Sequence, residues 1–300
     1  MPKRNGLTLI DTIILILVLV FALIVLWPRL KIYRIASRTV CGTNVKGLAT
    51  ALDVYANDYE GRYPQLPGTG PWSKQLGFAY DLAKPDFKEG GAQSNVDRTI
   101  TASMYLLVRY ADISPKSFVC NVDREKKRIE FYDGKNPANR KIEELWDFGP
   151  NPYKHVSYAM HNPYGAYPAT NSRSMKFAIL ADMSPWFKQG DVVTPTISRW
   201  RPRNNITLLP PYFSDTTITR DQIMPSNALA HGREGQCVAF ADGSAQYVKT
   251  PDVGVNHDNI YTYWSTPTSP TESDIRIGTN PTSRSKENDA QSPDDSFLAI

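Results

Sequence analysis

An apolar run at the start of the chain constrains it more than any other feature. Residues 12–27 carry no charge and are almost all Ile, Leu, Val or Phe, and the stretch 7–27 holds a single carboxylate, Asp11. Coiled as an α-helix, such a stretch reaches about 30 Å, the thickness of a bilayer core. Pro28 marks its end, so the pattern predicts a transmembrane helix over 7–28 with the remaining chain as a polar cargo on one side. A cleaved secretory signal would be followed by a small-residue Ala-x-Ala site. Here the run ends in Leu26-Trp27-Pro28-Arg29, which reads as an anchor. Asp11 has two readings. It sits at the interface near the positive end of the helix dipole, or it pairs with the N-terminus of a neighbouring subunit.

Lys3-Arg4 followed by Gly6-Leu7-Thr8-Leu9-Ile10-Asp11 resembles the signature of type IV prepilins and type II secretion pseudopilins. The resemblance implies a leader, 1–6, removed by a prepilin peptidase between Gly6 and Leu7, with methylation of the new N-terminus. It implies that Asp11 neutralises a neighbour's terminal amine as helices stack into a filament. Leu7 stands where that family usually has Phe, and Asp11 where it usually has Glu. The basic residues Lys3 and Arg4 precede the run, while Arg29, Lys31, Arg34 and Arg38 follow it. A positive-inside count would leave the cargo in the cytoplasm. The resemblance places it in the periplasm of a bacterium, anchored in the inner membrane, and the later motifs agree with the resemblance.

Beyond the anchor the helical period continues to residue 57. Val45, Leu48, Leu52 and Tyr55 recur at three- and four-residue steps, and Gly61 and Pro64 stop the element. The expected extramembrane helix, 29–64, therefore carries one apolar stripe to pack on a sheet. Cys41-Gly-Thr-Asn-Val-Lys and Tyr55-Ala-Asn-Asp are similar to a bacterial branch of pilin-like proteins. The globular domain is expected over 65–264. Its parts are a polar surface excursion at 65–98, a short buried helix at 101–110, and strands at 117–120, 155–161 and 177–182. Insertions are expected at 121–152 and 186–225. Asp242-Gly243 between two apolar runs is the strongest short hairpin signal in the chain. Asp258 to Trp264 reads as a last strand. The Ser/Thr/Pro-rich tail, 265–300, has too few apolar residues to pack and reads as disordered, with Phe297 and Leu298 able to dock.

His231 and Asp242-Gly243 match the His…Asp-Gly signature of the same branch, with ten residues between His and Asp where some versions have nine. A catalytic dyad is one reading. No Ser or Cys nucleophile stands at a diagnostic spacing, and the turn needs the Asp in any case, so a structural role for His231, Asp242 and Gly243 is preferred. The three cysteines, Cys41, Cys120 and Cys237, make no Cys-x-x-Cys knuckle. In an oxidising compartment Cys41 and Cys120 are the candidate disulfide; the alternative is three buried thiols. His155 and His161 share one strand face but lie about 20 Å apart along it. Asp58 and Glu60 lack the remaining ligands of a calcium loop. No metal site, cofactor or catalytic residue is assigned. A net charge of +4 on scattered basic residues gives no nucleic-acid footprint; the cluster after the anchor suits lipid head groups.

The sequence therefore reads as α+β and pilin-like, a long N-terminal transmembrane helix packed on an antiparallel sheet with a loop-rich insertion. The expected function is a non-enzymatic pseudopilin-like subunit. Its partners would be a prepilin peptidase, membrane lipid, and its own or other pilin-like subunits. The alternative is a signal-anchored periplasmic module binding a glycan or protein without polymerising. A weaker third reading is a hydrolase using His231 and Asp242.

Overall fold

The computed structural model describes residues 9–68, 70–76, 98–123, 142, 145–193, 224–285 and 287–300, with the side chains of 25–34 outside the description. Contacts divide the chain into two units, Met1–Thr39 and Val40–Ile300. The fold is α+β with an antiparallel sheet.

Helix α1, Leu9–Asp58, runs through both units. In the first, residues 9–24 are apolar apart from Asp11 and Thr12, and large side chains from Leu9 to Ile24 stand exposed. Among the described residues no helix is long and apolar enough to cross a membrane. The span expected over 7–28 falls partly outside them, and the leader 1–6 with its cleavage pair Gly6 and Leu7 falls wholly outside.

In the second unit the expected stripe is the core face of α1. Cys41, Val45, Leu48, Leu52 and Tyr55 are buried, while Lys46 and Thr50 are exposed. The helix ends where Gly61, at φ 78°, turns its N–H back onto Ala56 O at 2.8 Å. Helix α2, Ile100–Tyr110, is buried along most of its length. Thr99 caps it by accepting the Ala102 N–H at 2.9 Å. The strand expected at 117–120 is instead a 3-10 turn, Pro115–Phe118, because Pro115 and the Ser114 cap start a helical turn there.

Strands β1 (Tyr158–His161), β2 (Ala178–Asp182), β5 (Gln236–Phe240), β6 (Ala245–Val248) and β7 (Leu298–Ala299) form one antiparallel sheet in the order β6-β5-β2-β1-β7. A small separate ribbon pairs β3 (Phe187–Lys188) with β4 (Asp191–Val192). β1 and β2 are buried on both faces, so the alternation read at 155–161 does not separate a wet face from a dry one. The β5–β6 hairpin forms as expected. Gly243 sits at φ 73°, and Asp242 Oδ1 accepts the Ser244 N–H at 2.8 Å, an Asx turn that closes the hairpin.

The tail expected to be disordered is ordered. It carries helix α3, Glu272–Arg276, whose Arg276 bonds Asp252 at 2.7 Å, and it ends in β7. Phe297, Leu298, Ala299 and Ile300 are buried against β1. Buried carboxylates hold the approach: Asp258 accepts Ser296 N and Trp264 Nε1, and Asp295 accepts Trp264 N. Hydrogen bonds do here what composition suggested apolar burial could not. The last strand expected at 258–264 is likewise a run of turns with single bridges, Asp252↔Asn259 and Tyr263↔Thr279. Of the insertions, 124–141 and 194–223 lie outside the described residues.

Candidate functional site

Register brings a set of donor atoms to one face of the sheet. Tyr158 in β1 pairs with Asp182, the last residue of β2. One step on from the pair Ala181↔Val238, Cys237 in β5 lies beside Asp182, and its backbone N–H bonds Asp182 Oδ2 at 2.7 Å. The core half of α1 lays Cys41 on this face. Its Sγ donates to Asp182 Oδ1 at 3.0 Å and lies 3.6 Å from Tyr158 Oη, which also accepts from Asn44 at 3.4 Å. His231 enters from the turn before β5, with Nε2 at 3.6 Å from Asp182 Oδ2. Cys120, just past the 3-10 turn, places Sγ 3.8 Å from the same Nε2. Ligating atoms of Cys41, Asp182, His231 and Cys237 all lie within 4.8 Å of one another. Tyr261 Oη fixes the strand end by donating to the backbone O of Asp182 at 2.8 Å.

The cluster is sealed. Cys41, Cys237 and Asp182 are 0% exposed, Cys120 1%, and the His231 side chain 2%. Burial and the neighbouring Cys237 push the Asp182 carboxyl up to about 8. Cys120 and Cys237 are drawn down to about 5 and about 6, first by hydrogen bonds with Cys41 and then, against burial, by His231. The same contacts with Cys120 and Cys237, then burial and the Asp182 charge, push the Cys41 thiol up. Burial pulls His231 down, but its bonds to Cys120 and Cys237 and the Asp182 charge outweigh this and raise it to about 10. The physical content is a closed set of sulfur, nitrogen and oxygen donors that share protons among themselves.

The local backbone is bent to aim the imidazole. His231, Gly232 and Arg233 hold φ of 54°, 67° and 59°, three consecutive residues in the left-handed region. For His231 and Arg233 that conformation costs about 1–3 kcal/mol each and persists only where the surroundings over-determine it. Asn227 Nδ2 donates to Arg233 O at 3.2 Å and to Lys249 O at 2.8 Å, and Arg233 Nη1 donates to Pro225 O at 2.8 Å, which holds the turn.

The residues singled out by sequence are distributed as follows. Asp11 stands exposed in the first turn of α1. Asp242 and Gly243 serve the hairpin turn, and the carboxylate beside His231 is Asp182 rather than Asp242. Cys41 and Cys120 do come together, in hydrogen-bond contact, but no disulfide forms among the described residues. Cys237 stands in the same cluster. Asp182, Cys237 and Tyr158 were not recognised as members. The available signal was Cys237 six residues after the marked His231, together with an acid ending a wholly apolar strand. His161 is used elsewhere, hydrogen-bonded to the Tyr167 carbonyl and to the Phe297 N–H.

Comparison of the chain with protein-family models, with curated proteins and with solved structures finds no match in any of the three.

Proposed function

We propose that the chain is a membrane-anchored, non-enzymatic subunit of pilin-like plan, facing the periplasm and contributing to a pseudopilus or pilus-like filament. The observation that carries this reading is the N-terminal part of α1. Over residues 9–24 the large apolar side chains are exposed, from 47% at Val20 to 76% at Leu9, with Asp11 the one charge. A soluble monomer rarely tolerates a patch of that kind; lipid or neighbouring helices are its natural cover. Asp11 in the first turn lies at the positive end of the helix dipole, where a carboxylate is favoured, which supports its pairing with a neighbour's terminal amine.

Two further observations support the reading against its rivals. The hydrolase reading needs His231 and Asp242 to act together on a substrate, and here the His231 side chain is enclosed beside Asp182 while Asp242 serves the hairpin turn. A glycan-binding module would use exposed aromatic platforms; among the described residues of the second unit Trp72, Trp146, Trp186 and Trp264 are buried, and the exposed Tyr rings are those of Tyr59 and Tyr110.

Intact-mass analysis of the membrane-extracted protein tests the proposal. The expected result is a chain beginning at Leu7 with one added methyl. A chain still carrying Met1 or Pro2 refutes processing and returns the protein to a plain anchor. Asp11→Ala is expected to abolish cross-linking between subunits while leaving the folded domain intact.

A further inference from the structure

We infer that Cys41, Asp182, His231 and Cys237 bind a single zinc ion that fastens the core half of α1 to the sheet, with Cys120 standing beside it as an unligated thiol. This goes beyond the anchored-subunit reading and does not depend on it.

The geometry argues for it first. On a tetrahedral zinc with bonds of about 2.0–2.3 Å, neighbouring ligand atoms stand about 3.3–3.8 Å apart. The four donors here already lie within 4.8 Å of one another, with Cys41 Sγ at 3.0 Å from Asp182 Oδ1. Side-chain adjustments of about an ångström complete the site. The donors come from four separate stretches: α1, the end of β2, the turn after Leu229, and β5. Such convergence at one buried point is not produced by a local turn motif.

The supporting groups are also those a metal site uses. Asp182 Oδ2 is occupied by the Cys237 N–H, which leaves Oδ1 aimed at Cys41 and open to the metal. Tyr158 Oη, itself held by Asn44, is 3.6 Å from the Cys41 sulfur and can donate to it as a thiolate. Outer partners of this kind orient ligands and tune their basicity. The strained turn at His231 is accounted for if the imidazole must be presented to a fixed point.

Charge closes the account. Binding displaces the protons that the cluster shares, leaving two thiolates, the Asp182 carboxylate and a neutral imidazole, so that three negative charges meet a dication. The remaining single charge lies where the Tyr158 hydroxyl and the Cys237 N–H point. Thiolate and imidazole donors select a borderline-soft ion over calcium or magnesium. The closed shell, with no exposed position for water, is that of a structural rather than a catalytic zinc.

The test uses the full chain, extracted in detergent under reducing conditions. Elemental analysis is expected to find one zinc per chain. Cobalt(II) substitution is expected to give visible bands of tetrahedral coordination with thiolate-to-metal charge transfer. Cys41→Ser, Cys237→Ser and Asp182→Asn are each expected to weaken metal binding by more than about 100-fold, beyond the roughly 10–100-fold typical of an outer partner, while Cys120→Ser keeps one equivalent. A ligand variant that fails to fold would also lose metal, so the wild-type cobalt spectrum is read independently of any variant. Wild-type chain that takes up neither ion, or that shows by mass a Cys41–Cys120 disulfide in place of metal when extracted in parallel without reductant, overturns the site. Loss of metal in Cys120→Ser with retention in Asp182→Asn overturns the ligand assignment. Leader processing is untouched by any of these outcomes, so the anchored-subunit reading stands or falls separately.

Discussion

His161 makes the stability of this domain depend on acid in a way that can be worked out from its contacts. The side chain is buried in β1, with Nε2–H donating to the Tyr167 carbonyl at 2.9 Å and Nδ1 accepting the Phe297 N–H at 3.2 Å. A second ring proton would point at an N–H that is already there. Burial, with Arg173 nearby, outweighs the Tyr167 bond and lowers the imidazole from its ordinary 6.5 to about 4. The sign follows. The folded state disfavours the proton, so the contribution is fully present above pH 6.5 and is lost as pH falls from there toward 4. At pH 5 the loss amounts to about 2 kcal/mol. Asp147 and Asp295, both buried, are pushed up to about 7 and Asp289 to about 6, chiefly by burial; they bind protons more tightly in the folded state and oppose the trend. The wild-type profile alone therefore cannot isolate His161. The comparison is with His161→Gln, which carries the same carboxylates and the same cluster. At pH 7.5 the variant should be less stable by about 2 kcal/mol, having lost aromatic packing on Phe177 and the geometry of two hydrogen bonds. Urea unfolding followed by tryptophan fluorescence, repeated at pH 5, should find that gap nearly closed. A gap unchanged between the two pH values would refute the argument, because it would mean His161 titrates alike in both states.

Two further outcomes follow from packing. Leu52→Ala, at a fully buried position on α1, should cost about 2–5 kcal/mol in the same unfolding assay; a cost below about 1 kcal/mol would mean the helix is not seated in the core. Gly235→Ala should destabilise by about 1–3 kcal/mol, because φ is +150° and a Cβ there would lie 2.1 Å from Val248 O at the base of the hairpin.

The parts of the fold that sequence reasoning reached are those with short-range physics. The apolar stripe of α1, the Asp242-Gly243 turn and the buried strand ending at Asp182 all follow from periodicity and turn chemistry within a few residues. The tail was misread because composition counts apolar side chains. It cannot count the hydrogen bonds by which Asp258, Asp295 and Arg276 hold the approach to β7. The 3-10 turn at Pro115–Phe118 was misread for a related reason, since a short apolar run says little against a proline start.

The donor cluster was illegible for a different reason. Of its members only His231 and Cys237 are close in sequence, and the nearer marked acid, Asp242, is claimed by its own turn. Asp182 becomes the partner of His231 because the β2–β5 register sets it beside Cys237, and Cys41 reaches it because α1 crosses the same face. This placement bears on the two roles open to the cysteines. A Cys41–Cys120 disulfide would use two sulfurs and leave Cys237, His231 and Asp182 buried together, with a thiol, an imidazole and a carboxyl to be satisfied by one another. A metal uses four of the five and leaves one thiol. It also ties α1 to β2, β5 and the turn at His231 in a single step, where a disulfide would tie α1 only to the residue after a 3-10 turn. On the geometry, the economical role for this cluster is the one that satisfies more of its buried polar atoms.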